Sequence, residues 1–142
     1  MFVLVDDCPG VGSIGYDDSI KAVILTWFKN DDALFRDRME TELRLVVERD
    51  LLSVIVDTAQ VKGVLSLENQ AWIAEDFFPR LSQTGLRALV SVVPQSAIAQ
   101  LTNKRSFLGA QVPFEVLQVD SLAEACDVAA RVMNGAPATV SR

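Results

Sequence analysis

The chain has 142 residues, 50% of them hydrophobic, and a formal net charge of −6 from 13 basic and 19 acidic side chains. That length supports one domain with a proper core, and the acidic balance argues against a nucleic-acid partner, which needs concentrated positive surface. No histidine is present, which excludes Ser-His-Asp and Cys-His catalysis, histidine metal sites and histidine pH switching together.

The first strand is expected at Phe2–Val5, cut short by Asp6, Asp7 and Pro9. Gly10-Val11-Gly12-Ser13-Ile14-Gly15 carries the letters of a dinucleotide fingerprint, but that motif needs glycines that turn a strand into a helix facing pyrophosphate. Here they lead into a turn at Tyr16–Ser19 and then into Ile20–Trp27, a β-branched and aromatic strand. The glycines are therefore assigned to an N-terminal β-hairpin. A first helix is expected over Asp31–Arg49, capped by Asn30 or Asp31. Phe35, Met39, Leu43 and Val46 form its apolar stripe, with Arg36, Arg38, Glu40 and Arg44 on solvated faces.

Leu51–Val56 is a short, nearly continuous apolar run, the mark of a strand covered on both faces near the centre of a sheet. Asp57 and Thr58 follow at its carboxyl end, where ligands gather in open α/β sheets; loop bracing is the simpler role for Asp57. Ser66 is placed to cap a helix from Leu67 to about Phe78, with Leu67, Ala71, Ala74, Phe78 and Leu81 as its buried stripe and Pro79 limiting its continuation. At about 100° per residue, Trp72 then falls on the polar side with Glu68 and Asp76. It either packs under a loop or meets a partner, as tryptophans at interfaces do.

Leu86–Val93 reads as another buried strand, followed by a helix from Ala97 to about Phe107. Pro113–Val119 reads as a mixed-polarity strand nearer an edge. Ser121 and Glu124 form a capping box for a last helix lined by Leu122, Ala125, Cys126, Ala129, Val132 and Met133 and ended by Asn134-Gly135. The expected architecture is one α/β domain over residues 1–135, a mixed and mostly parallel sheet with about four helices and a loose tail over 136–142. Cys126 in an apolar stripe suggests a buried reduced thiol, a disulfide to Cys8 being the alternative. With neither a signal-peptide pattern nor a membrane-span length of about 20 apolar residues, the expectation is a cytoplasmic protein without a cofactor.

The strand closing on Trp27, the strand Val54-Ile55-Val56-Asp57, the segment Trp72-Ile73-Ala74-Glu75-Asp76, and Pro79-Arg80, Gly85-Leu86-Arg87 and Pro94 carry a resemblance. Together they resemble the STAS fold of anti-sigma-factor antagonists, and more closely the small SpoIIAA-like (STAS/Sec14-type) bacterial proteins, over Gly15–Met133. The resemblance implies a non-enzymatic regulatory or protein-interaction module. It also implies phosphorylation of Ser66, whose residue-level reading is a plain N-cap. Ser66 and Trp72, with Asp57, Thr58 and Asp76, are the candidate partner-binding residues. The Sec14 side of the superfamily implies the alternative, a small apolar or lipid-like ligand. An enzyme using Asp57 and Thr58 carries the least weight. Trp72 and the sheet edges also leave a homodimer open.

Overall fold

The computed structural model of the protein describes residues 1–92 and 112–136. Among these residues six strands form one sheet: β1 (Phe2–Cys8), β2 (Gly12–Asp17), β3 (Ala22–Trp27), β4 (Ser53–Asp57), β5 (Ala88–Val92) and β6 (Glu115–Val119), side by side in that order. The pairs β1–β2 and β2–β3 are antiparallel, and β3–β4, β4–β5 and β5–β6 are parallel. The expected α/β class and central place of β4 agree with this sheet, and β6 is its outer strand. The helix expected over 97–107 and most of the tail lie outside the described residues. Among those residues there are three helical segments.

The N-terminal half corrects the expected hairpin to a three-stranded meander. The glycine-rich stretch is itself β2, paired on both sides, and the tight turn is at Asp18–Lys21. Its glycines serve close approach: a Cβ at Gly12 would collide with the backbone carbonyl oxygen of Thr26, and one at Gly15 with the Phe2 ring and the Val3 carbonyl. β1 also runs past Val5 to Cys8, with a register shift between Leu4 and Asp6 that absorbs Val5 as an extra residue. An outer strand tolerates Asp6 and Asp7 because one side of each faces water.

Alternation along the strands divides the core into two layers. Val23, Leu25 and Trp27 of β3, Val54 and Val56 of β4 and Leu89 of β5 point to one face. Ala22, Ile24, Ile55, Ala88, Val90 and Val92 point to the other. Successive right-handed crossovers that step in one direction place their helices on the same face. The first face accordingly packs against α1 (Asp32–Arg49) and against the segment α2 (Leu67–Trp72), a π-helical turn (Ile73–Phe77) and α3 (Phe78–Leu81). The second face packs against α4 (Leu122–Met133) through Ala125, Val128, Ala129 and Val132. Cys8 packs on the first face and Cys126 on the second, both free thiols, so the sheet separates them and the disulfide alternative is removed.

α1 begins as expected, with Asp31 accepting hydrogen bonds from the N–H groups of Ala33 and Leu34 at 3.1 and 3.2 Å. Its buried face differs from the expected stripe. Phe35, Met39 and Val46 are buried, but so are Leu45 and the charged Arg38 and Glu42, while Leu43 is half-buried. Arg38 reaches Asp6 of β1 at 2.8 Å and lies over the Trp27 ring, so a partner from the meander brings an expected surface arginine inside.

The second crossover corrects its expected stripe more deeply. Leu67 and Ala71 are exposed, and the inward side is formed by Asn69, Gln70 and Ile73, then Phe77, Phe78 and Leu81. Asn69 and Gln70 can be buried because they are bonded: the Gln70 amide donates to the Leu65 carbonyl at 2.8 Å, and the Asn69 amide to Asp32 at 2.9 Å. The π turn then accommodates one extra residue, with the Phe78 N–H donating to the Ile73 carbonyl. Phe77, Phe78 and Leu81 continue the buried side across that turn. Pro79 falls in the first turn of α3 rather than ending the helix.

Candidate functional site

The expected site residues separate into two groups. Asp57 ends β4, where its carboxylate accepts from the Ala59 N–H at 3.2 Å and braces the turn. Thr58 is buried and donates its hydroxyl to the Val92 carbonyl at 2.8 Å, tying the ends of β4 and β5. Asp57 braces its own loop, and Thr58 ties that loop to β5.

Ser66 lies at the start of α2, 9 residues on from Asp57 in the numbering, in the crossover that leaves β4. Its hydroxyl oxygen accepts from the Asn69 N–H at 3.1 Å, the N-cap bond, and its own N–H donates to Asp32 at 3.2 Å. Asp32 also accepts from the Asn69 side chain, and Arg36 donates to Asn69 at 2.8 Å. These bonds, the one from the Ser66 N–H first, hold the Asp32 carboxyl below the usual carboxylate range. The start of α2 is thereby fixed to the first turn of α1. On either side of Ser66 the apolar side chains of Val64 and Leu67 stand in solvent, 48% and 70% exposed.

Trp72 is half-buried as the outer member of an aromatic row. It stacks on Phe77 at 5.5 Å and meets Phe35 edge-on at 6.1 Å, and Phe35 stacks in turn on Trp27. Arg36 and Arg80 lie over its ring at 5.3 and 5.9 Å. Arg80 is held there by Asp76 at 2.7 Å and by a short fork to Glu40, whose hydrogen bonds raise the guanidinium pKa further. Trp72 and Asp76 are thus joined through Arg80 in a filled structural cluster.

A cleft absent from the sequence expectations lies at the carboxyl ends of β3 and β4. Beyond the strands, residues 28–30 and 61–63 continue side by side. The Lys62 N–H donates to the Phe28 carbonyl at 3.0 Å, the Asn30 N–H to the Lys62 carbonyl at 2.9 Å, and the Asn30 amide to the Gly63 carbonyl at 2.9 Å. The β1–β2 turn closes the other side, with the Val11 carbonyl accepting from the Phe28 and Lys29 N–H groups. Gly10, Phe28, Lys29, Asn30, Gln60, Lys62 and Gly63 line a space of about 510 Å³. No protein-family model, no curated protein and no solved structure matches this chain.

Lys29 and Lys62 stand 33 residues apart, Lys29 two residues past β3 and Lys62 five past β4. They become neighbours because the turn after β4, closed by the Val61 N–H donating to the Thr58 carbonyl at 3.2 Å, takes up two residues beyond the register in which Thr26 faces Asp57. The pairing was not legible in the sequence, because Lys62 falls two residues beyond the position that the strand register aligns with Lys29. Among the described residues no set of three His, Cys, Asp or Glu side chains is placed to hold a metal ion. Nor is any helix among them long and apolar enough to cross a membrane.

Proposed function

We propose that the protein is a non-enzymatic protein-interaction module that presents the start of α2, Val64 to Leu67, to a partner protein. The observation carrying this reading is Leu67, a large apolar side chain 70% exposed at the first position of a helix. Exposed apolar side chains on a loop fixed by hydrogen bonds supply contact area at small ordering cost. The anti-sigma-antagonist resemblance supports the same place, since Ser66 lies between Val64 and Leu67. A phosphate on Ser66 would bring about two negative charges beside Asp32 and Glu68, and the added repulsion would work against the bonds that fix the loop.

The surface carrying recognition in this reading is Val64 and Leu67 rather than Trp72, whose ring is covered by two arginines. The test is photo-crosslinking from position 67 in a lysate of the source cells, with position 122 as a control because Leu122 is an exposed apolar residue on α4. One protein should crosslink from position 67 and not from 122, and Leu67→Asp and Val64→Asp should each abolish its capture at an unchanged melting midpoint. Capture of the same proteins by wild type and both variants would overturn the reading.

A further inference from the structure

We infer that the cleft at the carboxyl ends of β3 and β4 binds a small organic oxyanion. Its phosphate or carboxylate group sits between Lys29 and Lys62, and its apolar body lies against Phe28. This goes beyond the docking surface proposed above and does not depend on it. Lys29 and Lys62 occupy directly opposed positions of a parallel bridge, which sends both side chains to the same side. Like charges held opposite each other are destabilising. In a chain with 19 acidic residues, no carboxylate forms an ion pair with either lysine among the described residues. An anion between the two ammonium groups relieves that repulsion, and each contact becomes a charge-assisted hydrogen bond.

The remaining lining fits the same ligand. Phe28 is 42% exposed at the mouth and supplies an apolar wall, while the side-chain amide of Gln60 adds a neutral donor. A volume of about 510 Å³ exceeds what an inorganic ion fills and falls in the range of small-molecule sites. The cleft also lies where open α/β sheets bind ligands, outside the carboxyl ends of parallel strands. Here the sheet changes there from antiparallel to parallel pairing across β3.

The test is a nuclear magnetic resonance titration of the full chain with phenyl phosphate and, separately, phenylacetate, using inorganic phosphate as the headgroup alone. Saturable shifts of the amides of residues 28–30 and 60–63 are expected with at least one aromatic probe, and weaker ones with inorganic phosphate. The preferred aromatic probe identifies the headgroup. Lys29→Gln and Lys62→Gln should each weaken binding about tenfold, and Phe28→Ser should weaken the aromatic probes but not inorganic phosphate. Leu67→Asp should leave all three unchanged, which separates this site from the partner surface. Absence of saturable shifts with both aromatic probes, or binding that survives the double lysine substitution, would overturn the inference.

Discussion

Replacing Glu42 by methionine tests how the core tolerates an acid. Glu42 lies on the inward face of α1, fully buried, and neither carboxylate oxygen has a hydrogen-bond partner. Arg38, one turn earlier, is turned toward Asp6 and Trp27. Arg49, two turns later, is engaged by Asp18 and Tyr16. Burial alone pushes the Glu42 carboxyl from 4.5 up to about 8. Its folded-state pKa is therefore above the unfolded one. The neutral, protonated acid is compatible with the fold below pH 4.5, and stability is lost as pH rises from there through about 8. Integrating between those two values gives a loss of about 3 kcal/mol from pH 4.5 to pH 7, a large part of the stability of a domain this size. Urea unfolding followed by tryptophan fluorescence across this pH range, for wild type and Glu42→Met, isolates the term. The surface acids with lowered pKa values, among them Asp32 and Glu40, titrate alike in both proteins and cancel. The variant should gain on wild type by about 3 kcal/mol between pH 4.5 and pH 7. Parallel stability curves would show that Glu42 is solvated or paired in solution and would refute the reasoning.

Two further outcomes are expected from the same structure. Ser66→Ala removes the N-cap bond to Asn69 and should lower unfolding stability by about 1 kcal/mol. Ser66→Thr, whose hydroxyl can accept the same bond, should recover most of it; equal losses in the two variants would show that the hydroxyl does not cap α2. Gly12→Ala puts a Cβ against the Thr26 carbonyl and should cost at least about 2 kcal/mol. Backbone amide exchange should rise first along the β2–β3 ladder, and a melting midpoint equal to wild type would mean that the strands are farther apart than described.

Much of the architecture was legible because local chemistry decided it. Asp31 before the first helix, Ser66 before the second and Ser121 before the last all accept the cap bonds that their positions suggest. The apolar run of β4 sits between two parallel neighbours, as such a run should. What is not legible depends on contacts between distant residues. Nothing within Gly12–Gly15 says that glycine here admits a neighbouring strand rather than making a turn. Arg38 looks like a surface residue until Asp6 and Trp27 arrive from elsewhere in the chain. The buried side of α2 is not legible from apolar spacing, because its polar members, Asn69 and Gln70, have hydrogen-bond partners that periodicity does not reveal. The π turn then breaks the constant angle per residue on which a helical stripe depends. Of the residues singled out beforehand, Ser66 retains a place in the proposed function, while Leu67, assigned to the core, now carries it.

The strand order, each strand beside the next in sequence, has a consequence for how the molecule can be made. Among the described strands, none has to wait for a later one to fill a gap in the sheet. As the chain leaves the ribosome, the meander can close first through its short connections, and β4, β5 and β6 can each add to an edge already formed. At every stage the growing edge is the next strand's docking place, so synthesis and assembly run in the same direction.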